Sequence, residues 1–345
     1  MTAKIRSTPP RWVYVSIGFC LVVFIVYSLI WRAGAGQMHQ AVEDWIDDQR
    51  MNGLIVETDD IKIRGYPFFL RAMISNPIIE APASWRWEGQ TLAIDALPYD
   101  VNRLIFSVIG KQAVSIQGGG DFHIEGASIR ASIKNDKQRG WAFSATIDDT
   151  KITEAVTRQA TRRQTPSREG GTVSLEHFVM DVAPRMGELS TLTVNLAAQH
   201  IAGEIQDRNL DLDRIEATIA ISQMPLLTEN DDAEHALQAW AKANGTVSVA
   251  RFFTQINEAT FACAGTLTLD GAHNPEGAFE TELVQPAIFV NAATGAGLIS
   301  AQKAEQLSAS LTLMSIASGG KVSAPITIKD GAINAANLPI GNATF

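Results

Sequence analysis

The segment from Trp12 to Trp31 (WVYVSIGFCLVVFIVYSLIW) runs 20 residues without a charge. As a helix rising about 1.5 Å per residue it spans about 30 Å, the thickness of a bilayer core. It is apolar all round, so it has no wet face to offer as the surface helix of a soluble domain. Trp12, Tyr14, Tyr27 and Trp31 stand near its two ends, at the depth where an amphipathic ring finds one apolar and one wet edge. Lys4, Arg6 and Arg11 precede the span and only Arg32 follows it directly. The positive-inside bias therefore expects residues 1–11 to be a cytoplasmic tail, 12–31 a transmembrane helix, and the rest to lie across the membrane. Ala33-Gly34-Ala35 resembles a signal-peptide cleavage site. Against cleavage, the apolar stretch exceeds the roughly 7–15 residues of a signal core, and Trp31 and Arg32 intervene. The expectation is an uncleaved single-pass anchor.

Charge divides at the same point. Residues 1–32 carry +4 and the remainder −13, within a chain of net charge −9. An acidic chain of this kind is a poor nucleic-acid partner, since phosphate binding needs clustered Lys and Arg. Cys20 lies in the span, which leaves Cys263 alone beyond it. No internal disulfide and no four-thiolate zinc site can be built. The local run Phe261-Ala262-Cys263-Ala264 suggests a buried, inert thiol.

After the span, Met38, Val42, Trp45 and Ile46 keep helical spacing with acids between them. They predict a short amphipathic helix that packs on the sheet after it and stops near Asn52-Gly53. From Leu54 the period becomes two. Ile61 and Ile63 alternate with Lys62 and Arg64. Val173, Leu175, His177 and Val179 share one face in this reading, as do Leu192, Val194 and Leu196. The same holds for Ile215, Ala217, Ile219 and Ile221, and for Val322, Ala324, Ile326 and Ile328. Such alternation marks antiparallel strands with one buried and one wet face. Turn signals separate them at Gly65-Tyr66-Pro67, Gly118-Gly119-Gly120, Asp270-Gly271, Asn274-Pro275 and Asp330-Gly331. Helices are expected over 231–243, 286–298 and 300–316, the last N-capped by Ser300. Residues 157–171, with four arginines and Pro166, predict an exposed loop, and a further break falls near 225–232.

The fold expected is mainly β with a few helices: a transmembrane helix followed by large twisted antiparallel sheet, either open as a groove or filled as a sandwich. The regions are a β-rich 32–228 with a short leading helix, and an α+β 229–345 continuous with the same sheet.

No motif for catalysis, metal or cofactor stands out. There is no H-E-x-x-H, G-x-S-x-G, Walker loop or C-x-x-C. Gly295-Ala296-Gly297 lacks the third small residue of a dinucleotide fingerprint. Ser-x-x-Lys occurs at Ser300/Lys303 and at Ser318/Lys321 without the accompanying motifs of a Ser–Lys hydrolase. The six histidines are scattered, and His123 with Glu125 makes two ligands where a metal needs three or four. The expectation is therefore no catalytic residue, no metal, no cofactor and no enzyme. Aromatic and apolar residues are the more suggestive feature. Phe68, Leu70, Trp85 and Trp87 are the candidate lining of an apolar groove able to admit acyl chains, with ordinary core packing as the alternative.

Several stretches together carry a family resemblance. They are Gly65-Tyr66-Pro67-Phe68, Trp85-Arg86-Trp87, Gly265-Thr266-Leu267-Thr268-Leu269-Asp270 with Pro275-Glu276-Gly277, and the run from Pro325-Ile326-Thr327-Ile328 to Leu338-Pro339-Ile340-Gly341. In that order, behind a single span, they resemble domain-of-unknown-function family 2125 of Gram-negative envelope proteins, and more distantly AsmA-like envelope proteins. The resemblance implies an inner-membrane anchor with its bulk in the periplasm, and carries over no catalytic residue. It suggests a protein that binds or shields lipid or another apolar envelope component. The alternatives are a structural adaptor docking on another envelope protein and, third, a hydrolase site assembled from scattered residues.

Overall fold

The computed structural model describes residues 11–97, 100–136, 140–155, 170–185, 187–205, 208–225, 233–270, 274–295, 299–335 and 338–342. The predicted loop at 157–171 and the break at 225–232 fall mostly outside these residues.

The anchor and the amphipathic segment form one uninterrupted helix, α1 (Arg11–Met51), where the sequence suggested two. Nothing between Trp31 and Met38 breaks a helix, and Ala33, Gly34, Ala35 and Gly36 carry no bulk that would crowd it. The helix stops where expected. Gly53 takes φ +88°, and the amides of Gly53 and Leu54 close on the carbonyls of Arg50 and Gln49.

All the strands join one antiparallel sheet. Its first edge is compound. β3 (Leu70–Ser75) and β4 (Ile78–Ala81) pair successive stretches of β5 (Trp85–Leu97) in the same register, so they act as one interrupted strand. β1 (Ile55–Glu57) flanks β4 and β2 (Asp60–Arg64) flanks β3. From β5 onward each strand pairs with the next. The long ones are β6 (Asp100–Ile116), β7 (Gly120–Asp136), β8 (Gly140–Ala155), β9 (Thr172–Arg185), β10 (Glu188–Ile205) and β11 (Arg208–Ile221). After α2 (Ala233–Lys242) come β12 (Val247–Ile256), β13 (Ala259–Leu269) and β14 (Pro275–Val284). Two helices follow, α3 (Pro286–Gly295) and α4 (Ala301–Ala317), then β15 (Lys321–Lys329), β16 (Ala332–Ala335) and β17 (Leu338–Asn342). β11 pairs with β12 directly, so strands before and after residues 226–232 belong to one sheet. The Asp330-Gly331 turn has both residues at positive φ, as a tight hairpin requires.

The sheet is thin. A compact monomer of 37.3 kDa exposes roughly 14,000 Å², whereas this chain exposes 23,020 Å². Among the described residues no side chain larger than Val322 is fully buried. The one multi-element core among them forms where α1 lies on the first edge: Val42 and Ile46 pack on Val56, Ala72 and Ile74, with Met38 alongside. Trp45, expected in that stripe, is 44 % exposed. The i, i+4 row of Met38, Val42 and Ile46 already fills the contact, and Trp45 sits about 100° round the helix from Ile46.

One line of irregular residues crosses the long strands. Asn76, Gly110, Asp149 and His200 have φ of 47°, 86°, 46° and 49°, and lie between β3 and β4 and within β6, β8 and β10. The residues facing them drop out of the ladder. Across this crease the side-chain alternation slips by one. A Cβ on Gly126 would stand 2.4 Å from Thr150 Oγ1 and 3.2 Å from the Ile129 side chain, so residues three apart in β7 lie on one side. Regular strand puts such residues on opposite sides. This corrects one strand reading. Leu175 pairs with Thr150 while His177 pairs with Asp148, so Leu175 and His177 fall on opposite faces rather than one.

Candidate functional site

The most unusual feature is the face the crease preserves. Following the register from β3 to β11, one line reads Ala72, Ile94, Phe106, Ala131, Ala145, Met180, Leu196, Ala217. It continues through Phe252, Cys263, Thr281 and Ala324 on β12 to β15. The line one residue over, on the opposite face, is mixed: Ser107, Arg130, Thr146, Glu216, Glu282 and Ser323 stand in it beside Met73, Ala93, Val179, Ala197, Phe253 and Ala262. The sheet is therefore apolar on one side across twelve strands, about 50 Å at ~4.8 Å per strand. Beyond the crease the same side continues with Ile124, Ile152, Val173, Leu175, Ile201 and Leu212.

Among the described residues, cover on this face is confined to its ends. α1 lies on β1 to β3, α3 on β11 and β13, and α4 on β15. Phe289 of α3 meets Phe261 with ring centroids 6.3 Å apart. Among the described residues no helix packs comparably on β6 to β10. There Phe106, Ala131, Met180 and Leu196 are only half-buried, shielded by neighbours in their own sheet. An apolar patch of this extent is far larger than the few hundred Å² common on soluble monomers, and such patches mark binding surfaces.

The second feature joins this face to the helix. The turn between β2 and β3, Gly65 to Phe69, packs against the apolar span. Tyr27 donates its hydroxyl hydrogen to the Pro67 carbonyl, and Trp31 Nε1 donates to the Phe69 carbonyl at 3.2 Å. Tyr66 sets its ring edge-on to Trp31 (centroids 5.3 Å apart) and Phe24 (6.3 Å). Its hydroxyl is 2.7 Å from Ser28 Oγ, which itself donates to the Phe24 carbonyl, so Tyr66 is the donor to Ser28. Gly65 is required: at φ +103° an added Cβ would stand 2.5 Å from the Phe69 carbonyl. Gly34 lets the strand close on the helix, since a Cβ there would meet Leu70 Cδ1 at 3.3 Å.

The residues singled out from sequence are thus distributed. Phe68 is at the turn and 77 % exposed. Leu70 starts β3 beside α1. Trp85 and Trp87 lie near the other end of β5, where Trp87 pairs with Ile79 and donates from Nε1 to Gln112 Oε1 at 3.1 Å. Leu70 pairs with Ala96, so Leu70 and the tryptophans stand at opposite ends of β5. Tyr27 and Trp31, expected at the membrane interface, also make contacts with the turn. Lys4 and Arg6 lie outside the described residues, as do the side chains of Arg11, Trp12 and Tyr14. Sequence reasoning missed the contact between turn and span. Its signal was the aromatic set Tyr66, Phe68 and Phe69 at a turn, where polar residues are usual.

The remaining candidates have structural occupations. Ser300 caps α4, accepting from the Lys303 amide, and Ser318 donates to the Met314 carbonyl at 2.7 Å while Lys321 pairs with Glu282. Glu125 is taken by Lys111 at 2.9 Å, which lowers its pKa. His177 and His200 each face a carboxylate, of Asp148 and Glu176. Among the described residues no group of three or more His, Cys, Asp or Glu is arranged to hold a metal.

α1 is long and apolar enough to cross a membrane. Comparison with curated proteins gives no match. A family described as "uncharacterized protein conserved in bacteria" (DUF2125) matches residues 31–344, which is nearly all of the chain beyond the span. The chain belongs to that family.

Proposed function

We propose that this is a non-enzymatic, membrane-anchored protein whose sheet binds the acyl chains of envelope lipid and shields them from water. The observation that carries the reading is the apolar face running in register from β3 to β15 without a second layer over β6 to β10 among the described residues. A structural adaptor would bury such a face in its own core or offer a smaller patch. Lipid is favoured as the occupant because the face begins just past the span, where Leu70 packs on α1 at Gly34. The basic residues before the span support an inner-membrane anchor with the sheet in the periplasm.

The test uses the full chain in the living cell. A photocrosslinking amino acid replaces Phe106 on the apolar face or Ser107 on the opposite one. Lipid adducts at 106 and none at 107 support the proposal. A single protein partner captured at 106, without lipid, overturns it in favour of the adaptor.

A further inference from the structure

We propose that the β2–β3 turn is a second membrane element: it enters the leaflet nearer the sheet, alongside the C-terminal half of the span, and places the Phe68 ring among lipid acyl chains. This rests on the span crossing a bilayer and is independent of what the sheet binds.

Depth comes first. Phe68 and Pro67 face a cleft of about 420 Å³ shared with Phe19, Cys20, Val23, Phe24 and Tyr27. Those helix residues lie 4 to 12 positions before Trp31, or about 6 to 18 Å deeper at 1.5 Å per residue. With a hydrocarbon core about 30 Å thick, a side chain touching this stretch is below the headgroups. The cleft wall is almost wholly carbon, and Phe68 itself is 77 % exposed. In water that exposure would be costly, whereas in hydrocarbon it is not.

Polar satisfaction comes second. Irregular backbone survives at membrane depth only where its polar groups are satisfied by protein. Here the amides of Phe68 and Phe69 donate to the Gly65 carbonyl, at 2.9 and 3.1 Å. Pro67 has no amide hydrogen to satisfy. The carbonyls of Pro67 and Phe69 accept from Tyr27 and Trp31, and the Tyr66 hydroxyl is spent on Ser28. Each of these partners comes from the turn itself or from the span.

The experiment places a nitroxide on a single cysteine at 68 (Phe68→Cys, with Cys20→Ser and Cys263→Ser) in the full chain. The protein is reconstituted in vesicles of phosphatidylethanolamine and phosphatidylglycerol. Collision with a water-soluble nickel chelate should be several-fold lower at 68 than at an exposed sheet position such as Lys151→Cys, while collision with oxygen is higher. A label on native Cys20 serves as the membrane reference. Nickel access at 68 equal to that at 151, with Cys20 protected, overturns the proposal alone. Nickel access at both 68 and 20 overturns the span as well. Phe68 makes few contacts with its own chain, so the substitution is mild. A photocrosslinking residue at 68 gives the second readout: a lipid adduct supports the wedge, and a protein adduct without lipid sinks it.

Discussion

Trp31, at the end of the apolar span, donates its indole N–H to the carbonyl of Phe69, 38 residues further on, at 3.2 Å. That bond links the anchor to the turn that leads into β3, so helix and sheet are held together by more than the chain between them. Trp31→Phe keeps an aromatic ring beside Tyr66 and removes the hydrogen bond together with the second ring of the indole. It should cost about 1 kcal/mol. Trp31→Ala removes the edge-to-face pair as well and should cost about 1 kcal/mol more. Thermal unfolding of the full chain in detergent reads both. A Trp31→Phe variant as stable as the parent would show that the indole N–H contributes nothing, and equal losses with Phe and Ala would show the same of the ring pair.

The crease makes a conformational prediction. Asp149 holds φ +46° in the middle of β8, and only residues tolerant of that region occupy the corresponding places in β6 and β10. Asp149→Val should destabilise by roughly 1–2 kcal/mol through the clash of a branched Cβ in the left-handed region. Asp149→Gly should be neutral or mildly stabilising. Melting temperatures of the two variants check this, and a valine variant as stable as the glycine one would refute the strain argument.

The crease also shows how far the chain can be understood before it is folded. The sets Leu192-Val194-Leu196 and Ile215-Ala217-Ile219-Ile221 alternate cleanly, and they meet in register as Leu196 with Ala217, Val194 with Ile219 and Leu192 with Ile221. Ser300 caps α4 because a serine before an unbroken helical run has little else to do. The grouping of Val173, Leu175, His177 and Val179 failed because strict period two assumes no left-handed residue in or beside the strand. Phe178, Met180 and Val182 were the visible hint that the apolar parity had changed. The turn at Gly65 was legible as a turn but not as a partner of the span. Contacts between segments 38 residues apart leave no periodic trace in either segment. The open sheet, as against a filled sandwich, was invisible for the same reason: alternation reports which face is apolar and not what covers it.

At the edge of the sheet beside α1, Arg71 and Asp95 form a two-point pair on adjacent strands, Nε to Oδ1 at 2.5 Å and Nη2 to Oδ2 at 2.7 Å. Asp95 is nearly buried, 12 % exposed, and Arg71 also lies over the Phe69 ring at 5.2 Å. Asp95→Asn keeps the shape but strands the guanidinium. The partial exposure of Arg71 lets water recover some of the loss, so the cost should be about 1–2 kcal/mol. Arg71→Lys opposite the intact Asp95 should also be destabilising, because an ammonium cannot reproduce the fork. Because Arg71 holds the turn through Phe69, Asp95→Asn should also raise nickel access at a label on residue 68. A stability loss with unchanged access would separate the pair from the turn.

Cys263 lies on the apolar face, paired with Phe252 and Thr281, and burial pushes its thiol pKa up. The thiolate is the reactive form, so at neutral pH the folded protein should react with a water-soluble maleimide more slowly than the urea-unfolded chain. With Cys20→Ser removing the other thiol, the rate–pH curve of the folded chain should lie to higher pH than that of the unfolded one. The sign carries over to stability. A folded-state pKa raised above the unfolded value makes a contribution that is fully present below the unfolded pKa. It is lost as pH rises through the folded one, so any effect appears only in alkaline solution. A folded curve coincident with the unfolded curve, or shifted to lower pH, would mean that the thiol sits in water or beside positive charge rather than against the apolar face.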